Sequence, residues 1–195
     1  MMESLPAAYF DALYDRDPDP WRFETSDYER GKYAATLAAL SRPSYRFARE
    51  TGCSIGVLTA ELAPRCYRLL GIDVAEAALA RARARLHDSP NVRFACRAFP
   101  GEVQADAPLD GFDLIMLSEV LYYLDSAALA RAARVTRAAA APGADIVLVH
   151  WLGPTPDYPL TGDAAADTFI AALGSAMTPI LQVRQPEYRI DLLRP

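Results

Sequence analysis

The chain has 195 residues, of which 52% are hydrophobic and 23% charged, and a formal net charge of −5. One globular domain with a sizeable core fits this length and composition, whereas nucleic-acid binding, which relies on Lys and Arg neutralising phosphates, does not fit the charge. Three widely spaced cysteines and two histidines predict neither a disulfide framework nor a metal site. Because the N-terminus lacks a signal-peptide pattern and no apolar run reaches the ~20 residues that span a bilayer, we expect a cytoplasmic protein without membrane contact.

The first 42 residues are predicted to form a helical cap or lid on an α/β core at residues 43–195, within a single domain. Two prolines in residues 17–21 predict an extended connector, because proline does not fit a helix interior. Ser26, with Glu29 three residues later, has the spacing of a capping box that opens a helix.

Apolar strands alternate with Ala- and Arg-rich helical segments in the rest of the chain, which predicts a parallel sheet covered by helices on both faces. Pro142-Gly143 is expected to break the chain before the fifth strand. Two closing runs joined only by Gln185-Pro186 predict an antiparallel hairpin, because this link is too short for a helical crossover. The expected fold is therefore α/β, with a seven-stranded, mostly parallel sheet whose last strand is antiparallel. The predicted strands are residues 45–50, 66–72, 91–96, 112–117, 144–151, 180–184 and 187–193, and the predicted helices of the core are residues 56–64, 75–87, 126–140 and 161–174.

Carboxylates stand where the predicted strands end. The first strand ends at Glu50 and enters a glycine turn, residues 52–56, and the second strand ends at Asp73. Ligands of open α/β sheets bind at the carboxyl ends of the strands, and Asp73 is placed to accept hydrogen bonds from ribose hydroxyls. Glu50 would repel a pyrophosphate but attract a cationic ligand. S-adenosylmethionine, with its amino and sulfonium groups, is such a ligand.

The turn resembles the first motif of class I S-adenosylmethionine-dependent methyltransferases, Glu/Asp-x-Gly-x-Gly-x-Gly, with Ser54 in place of the middle glycine. Several segments look like the nodulation protein S (NodS)-like branch of that class, and the resemblance runs from about residue 9 to the C-terminus. These segments are Asp17 to Tyr33, Glu50 to Gly56, Leu117 to Leu124, and His150-Trp151.

This resemblance implies a Rossmann-like class I methyltransferase fold and S-adenosylmethionine as cofactor, with S-adenosylhomocysteine as its product. The namesake of the branch N-methylates the free amine of a deacetylated chitooligosaccharide, so the implied reaction is N-methylation of an amino sugar or oligosaccharide amine. The implied partner is a small-molecule acceptor, with no nucleic acid and no membrane, and we expect a monomer or weak dimer.

The resemblance also implies a set of site residues. Glu50, Gly52 and Gly56 would line the methionine end of the cofactor and Asp73 would hold the ribose. Family members often carry an acidic residue after the third strand, but this region reads Arg97-Ala98-Phe99-Pro100 with no carboxylate at that place, so the backbone of Ala98 and the ring of Phe99 would hold adenine. The full predicted cofactor set is Glu50, Gly52, Cys53, Ser54, Gly56, Asp73, Val74, Ala98, Phe99, Leu117, Ser118, Trp21 and Tyr28, and the predicted acceptor set is Tyr14, Tyr122, Tyr123 and Trp151.

Two residues are predicted to take part in catalysis. Methyl transfer is an in-line displacement to which positioning contributes much of the rate, but an amine must first lose its proton. His150, at the end of the fifth strand, is the candidate base, and Glu119 the candidate for steering a cationic acceptor. The alternatives are a hydrogen-bonded structural histidine beside Trp151 and a carboxylate that stabilises a helix start.

Other functions stay open at this point. O-methylation of another small metabolite and a non-catalytic S-adenosylmethionine-binding module both fit the turn. A nicotinamide dehydrogenase would need a third glycine and no carboxylate at Glu50. A methyltransferase acting on nucleic-acid bases would carry an Asn/Asp-Pro-Pro-Tyr signature, which the sequence lacks.

Overall fold

A single seven-stranded sheet organises the computed structural model, which describes residues 2–101, 108–175 and 177–194. The first five strands pair in parallel, and the last strand is antiparallel to both of its neighbours, as predicted. The strands are β1 (Tyr45–Thr51), β2 (Cys66–Asp73), β3 (Val92–Cys96), β4 (Phe112–Ser118), β5 (Ala140–Trp151), β6 (Thr178–Arg184) and β7 (Tyr188–Arg194), in the spatial order β3-β2-β1-β4-β5-β7-β6. The helices are α1 (Ala7–Arg16), α2 (Asp27–Ala39), α3 (Val57–Leu62), α4 (Glu76–Arg85), α5 (Ser126–Ala139) and α6 (Gly162–Leu173).

The prediction that Pro142-Gly143 breaks the chain before the fifth strand is wrong, because β5 begins at Ala140 and runs through both residues. The irregularity lies in the pairing instead. Phe112 of β4 pairs with Ala140, and Leu114, two residues on, pairs with Asp145, so the extra residues of β5 form a bulge. Gly143 has a φ of +72° in this bulge. Proline and glycine are tolerated there because bulged residues are not needed for the ladder of hydrogen bonds.

The core lies on both faces of the sheet, which is why its central strands are continuously apolar. Successive residues of β4 alternate between the faces: Leu114 packs in a cluster with residues of α2 and α3, whereas Ile115 and Leu117 pack against α5 and α6. No helix in the described ranges is long and apolar enough to cross a membrane.

The strand order reverses between β1 and β4, which pair in parallel with Thr51 opposite Leu117. Chain connections leave this point toward opposite edges of the sheet and open a crevice beyond the carboxyl ends of both strands. The two predicted motifs, after Glu50 and after Leu117, therefore meet at this crevice.

Candidate functional site

A cavity of about 700 Å³ occupies this crevice, within the size range of small-molecule and cofactor sites. Helices α1 and α2 form one side, and the segments that follow β1, β2, β3, β4 and β5 form the rest. The predicted site residues that line it are Tyr14, Trp21, Tyr28, Glu50, Gly52, Cys53, Ser54, Asp73, Val74, Ala98, Phe99, Ser118, Glu119, Tyr122, Tyr123 and Trp151. Gly56, Leu117 and His150 are absent from its lining.

The glycine turn is fixed by Asp73. The Ser54 N–H donates to one carboxylate oxygen of Asp73 at 2.8 Å, and the Ala75 N–H donates to the other at 3.0 Å. Ser54 adopts a left-handed conformation with φ of +50°, the conformation that glycine adopts without steric cost. Its hydroxyl hydrogen-bonds the Tyr14 hydroxyl, so the serine that replaces the middle glycine connects the turn to α1.

Gly52 is expected to tolerate no side chain. Its φ is +73°, and a Cβ would lie 2.3 Å from Val120 Cγ2. We expect Gly52→Ala to lower the free energy of unfolding by about 2 kcal/mol, from left-handed strain and displacement of Val120. Urea denaturation measures this, with Gly31→Ala as the matched control. Gly31 lies within α2 with nothing within 4 Å of its added Cβ, so that change should stabilise by about 1 kcal/mol. Equal effects of both substitutions would contradict the steric argument.

Two residues of the predicted cofactor set support the turn from behind instead of lining the cavity. Gly56, with φ of +78°, precedes α3, and a Cβ there would lie 3.0 Å from the Cβ of Ala82 in α4. Leu117 is fully buried in the core beneath the sheet. Because side chains alternate along a strand, its neighbour Ser118 lines the cavity and Leu117 does not.

Glu50 is a buried carboxylate that lines the crevice. Its residue is 2% exposed, and its Oε2 atom has no hydrogen-bond partner in the described structure. Burial raises the pKa of Glu50 to about 8, against an opposing effect of the Thr59 hydroxyl and with a smaller contribution from the Asp73 charge. An unpaired buried carboxylate is costly, and a cationic ligand would supply the missing charge.

An aromatic layer from the N-terminal segment covers the turn. The rings of Tyr14 and Trp21 meet edge to face with centroids 5.8 Å apart, and Trp21 stacks on Phe23 at 5.6 Å. All three line the cavity. The predicted extended connector at residues 17–21 is a set of turns in the structure, and its tryptophan is held by this ring contact.

A cluster of two carboxylates and one ammonium group also lines the cavity. Lys32 Nζ donates to Glu119 Oε1 at 2.6 Å and to Glu29 Oε1 at 3.0 Å. Glu119 Oε2 accepts the Tyr122 hydroxyl at 2.7 Å and the Trp151 N–H at 2.9 Å. Burial alone would raise the pKa of Glu119, but Lys32 and these donors hold it below its usual range. With all three groups charged, the cluster carries one net negative charge.

His150 does not occupy the position expected of a base. It is fully buried, lies outside the cavity lining, and neither ring nitrogen has a hydrogen-bond partner in the described structure. Burial lowers its pKa to about 4, so the imidazole is neutral near pH 7. Its ring packs edge to face against Tyr122 at 5.6 Å. Trp151, one residue later on β5, faces the cavity instead, because adjacent side chains of a strand point to opposite faces.

Tyrosines form the wall beside the acidic cluster. Tyr122 stacks on Tyr158 with centroids 5.4 Å apart, and Tyr123 meets Tyr158 edge to face at 4.7 Å. Tyr28 contacts Trp151 edge to face at 5.7 Å. Tyr122 and Tyr123 therefore belong to the core cluster and to the cavity wall at once.

Three cavity residues, Glu29, Lys32 and Tyr158, are not among the site residues predicted from the sequence. The capping-box spacing predicts a structural role for Glu29, and the Ser26 hydroxyl does accept the Glu29 N–H at 3.3 Å, but the Glu29 carboxylate turns to Lys32. One signal was available: Lys32 is the chain's only lysine, beside 19 arginines. Within residues 2–101, 108–175 and 177–194, no group of three or more His, Cys, Asp or Glu residues is arranged to hold a metal ion.

A family model described as Nodulation protein S (NodS) matches residues 12–142. Nodulation protein S of Sinorhizobium fredii (strain NBRC 101917 / NGR234) is 37% identical over 116 residues, which are 59% of this chain and 52% of that protein. The chain thus spans about half the length of the curated relatives it matches.

Two solved structures match over most of the chain. The N-methyltransferase NodS from Bradyrhizobium japonicum WM9, in complex with S-adenosyl-L-homocysteine, has a TM-score of 0.79 and 26% identity, and the match covers 96% of this chain and 97% of that one. A putative methyltransferase from Pseudomonas syringae has a TM-score of 0.70 and 35% identity, with coverage of 86% and 99%. The predicted class I methyltransferase fold is confirmed by these matches.

Proposed function

The chain belongs to the nodulation protein S family of class I methyltransferases, and on this premise we propose that it transfers a methyl group from S-adenosylmethionine to the amine of a small-molecule acceptor. An amino sugar or an oligosaccharide amine is the acceptor class we favour. One observation carries the proposal: a single cavity is lined by Glu50, a buried carboxylate with an unpartnered oxygen, by Asp73, and by the net negative cluster of Glu29, Lys32 and Glu119.

The residues at the turn fit the cofactor. The carboxylate of Glu50 would hold the amino group of the methionine moiety, and Asp73 would accept from the ribose hydroxyls. Asp73 has lone pairs left for this, since a carboxylate accepts about four hydrogen bonds and two backbone N–H groups use two of them. Ala98 and Phe99 line the cavity where adenine would lie. The cofactor supplies an activated methyl group, and the protein holds and orients both reactants and excludes water.

The acidic cluster and the aromatic wall support an amine acceptor with an extended body. The aromatic wall of Tyr122, Tyr123 and Trp151 suits the apolar faces of sugar rings, and the net negative cluster attracts a cation. The Bradyrhizobium relative is described as an N-methyltransferase, which favours nitrogen over oxygen. Residues 1–42, which supply Tyr14, Trp21 and α2 to the cavity, would act as a lid over both ligands.

Methyl transfer to a defined set of acceptors tests the proposal. The purified full chain is incubated with S-adenosylmethionine labelled in the methyl group and with glucosamine, N-acetylglucosamine, glucose or a deacetylated chitooligosaccharide, and products are identified by mass spectrometry. We expect label on the free amines and none on the acetylated or hydroxyl analogues. Label only on hydroxyl compounds, or on none of the acceptors, would overturn the proposal.

Asp73 is expected to determine affinity for the nucleoside. Asp73→Asn removes the charge that holds the Ser54 and Ala75 N–H groups and that would accept the ribose hydroxyls. We expect S-adenosylhomocysteine to bind about 100-fold more weakly, a loss of about 3 kcal/mol. Isothermal titration calorimetry measures this, with the highly exposed Asp88→Asn as control. Unchanged affinity in Asp73→Asn would remove Asp73 from the cofactor site.

A further inference from the structure

We propose that Glu29 is the proton acceptor for a cationic amine substrate: its unpaired carboxylate oxygen binds the substrate ammonium and takes the proton that must leave before the nitrogen can be methylated. The inference rests on the proposed function, because it assigns a role within the same cavity.

The position of Glu29 is the first support. It is 7% exposed on α2 and lines the cavity. Its Oε1 atom accepts from Lys32, whereas its Oε2 atom is buried and none of the described donors meets hydrogen-bond geometry toward it. The Tyr33 hydroxyl is nonetheless close enough to oppose the rise in the pKa of Glu29. The Tyr28 hydroxyl, one residue earlier on the same cavity wall, is also buried and unpartnered. Two neighbouring residues thus offer an acceptor oxygen each, and an ammonium group has three N–H donors to satisfy them.

Glu119 has no free oxygen with which to accept from a substrate ammonium group. Both of its oxygens are engaged, one by Lys32 at 2.6 Å and the other by Tyr122 and the Trp151 N–H. A carboxylate that already accepts three strong hydrogen bonds is a poor base, because each bond favours its ionised form. His150, the base expected from the sequence, does not reach the cavity.

The two carboxylates differ in their environment in the way that an acid–base pair requires. Burial raises the pKa of Glu29 above its usual range, against the opposing charge of Lys32. The pKa of Glu119 is held low, because Lys32 and its hydrogen bonds outweigh burial. Carboxylates pushed apart in this way separate the proton acceptor from the permanently charged partner.

Lys32 fixes the charge of the cluster. It is 2% exposed, and the two carboxylates keep its pKa above the usual range in spite of burial. The free cluster therefore carries one uncompensated negative charge, which a substrate cation would neutralise.

The titratable groups that face Glu29 are Tyr28, Lys32 and Tyr33 from α2 and Glu119 from the loop after β4, with Glu50 of β1, His150 of β5 and Glu187 before β7 behind them.

The proton and electron balance follows directly. A substrate R–NH3⁺ gives one proton to Glu29, leaving R–NH2 and a neutral carboxylic acid. The nitrogen lone pair then forms the N–C bond as the C–S bond of the cofactor breaks, with that electron pair going to sulfur. The products are the methylated ammonium ion and S-adenosylhomocysteine, and Glu29 returns its proton to solvent when the products leave. An alcohol brings no positive charge to the cluster, so the site discriminates amines from hydroxyl acceptors.

The single lysine offers a probe of this site that does not depend on turnover. Protein labelled with ¹⁵N at the lysine side chain has only Lys32 to report. We expect glucosamine added to the S-adenosylhomocysteine-saturated protein to shift the Lys32 signal, and glucose at the same concentration to leave it in place. In Glu29→Gln the response to glucosamine should be lost, while S-adenosylhomocysteine affinity stays within about twofold. Equal responses to glucosamine in both proteins would overturn the inference.

The pH dependence of methyl transfer is the second test. For wild type, kcat/KM should fall with decreasing pH as Glu29 becomes protonated, and in Glu29→Gln kcat should drop by about 100-fold. In Glu29→Gln, the remaining decrease of kcat/KM toward low pH should be centred on the pH at which the amine substrate loses its proton in solution. Glu61→Gln, an exposed glutamate of α3, is the control. If the wild type methylates amines and Glu29→Gln keeps its rate and pH profile, the proposed function stands and the inference fails. If the wild type methylates no amine, the proposed function itself fails.

Discussion

Replacing Glu50 with glutamine is expected to weaken S-adenosylhomocysteine binding by at least about 100-fold while stabilising the ligand-free protein. The loss of affinity follows from removing the carboxylate charge that would hold the ligand's amino group, since a charge-assisted hydrogen bond in a buried site contributes about 3 kcal/mol. The gain in stability follows because Glu50 is buried with an unpartnered oxygen.

The direction of the pH effect follows from the raised pKa. The folded state binds the Glu50 proton more tightly than the unfolded state, since burial raises this pKa from 4.5 to about 8. The stability that this proton contributes is complete below pH 4.5 and is lost as the pH rises to about 8, at up to about 1.4 kcal/mol for each pH unit. Glu50→Gln removes this loss but leaves a buried amide, so we expect a net gain of about 2 kcal/mol at pH 8 and little change at pH 4.5.

Urea denaturation of both proteins at pH 4.5 and pH 8 measures this effect, with Glu61→Gln as the exposed control. A wild type and a Glu50→Gln variant that respond alike to pH would contradict a buried, titrating Glu50. Calorimetry in two buffers of different ionisation enthalpy adds a second check. Below about pH 8, ligand binding should release a proton from Glu50 in the wild type and none from the variant.

Lys32→Met is expected to produce the largest loss of stability. The substitution leaves Glu29 and Glu119 buried side by side without the ammonium group that now bonds both of them, at 3.0 and 2.6 Å. Removing one partner of a buried ion pair typically costs 3–5 kcal/mol, so we expect a loss of about 4 kcal/mol in the free energy of unfolding at pH 8. The loss should shrink at pH 4, where protonation of the carboxylates removes their repulsion.

A neighbouring ion pair provides the matched control. Arg30, two residues before Lys32, pairs with Asp27 on the exposed face of α2, with side chains 54% and 94% exposed. Arg30→Met should therefore change the free energy of unfolding by less than about 1 kcal/mol. The triple variant Lys32→Met, Glu29→Gln, Glu119→Gln should recover much of the stability lost in Lys32→Met. A cost below about 1 kcal/mol for Lys32→Met alone would show that the cluster is hydrated in solution.

Much of the fold could be predicted because its signals are local. Apolar runs separated by Ala-rich helical segments predicted the parallel sheet, and the short Gln185-Pro186 link predicted the antiparallel last strand, which β7 confirms. The bulge in β5 could not be predicted in this way. Pro142-Gly143 has the composition of a break, and only the pairing of β5 with β4 keeps it inside the strand.

The predicted site residues show the same division between what local sequence signals determine and what the pairing of strands determines. The ends of the parallel strands meet at one edge, so the sequence alone brought Glu50, the turn and Asp73 to one crevice, where the structure places them. Which of two adjacent residues faces that crevice depends on the register and twist of each strand. For this reason Trp151 and Ser118 line the cavity, and their neighbours His150 and Leu117 do not.

The sequence by itself determined the class of fold and the meeting of Glu50, the glycine turn and Asp73 at one crevice, because both are encoded within short segments with their own geometry. The tertiary structure decided how Glu29, Lys32 and Glu119 come together as a cluster. Lys32 and Glu119 lie 87 residues apart in the chain and become partners only when the fold brings α2 next to the loop that follows β4. Burial raises the pKa of Glu29, whereas the two carboxylates keep the chain's only lysine charged in spite of burial. No local pattern carries that information, because it arises from the exclusion of water by several elements at once.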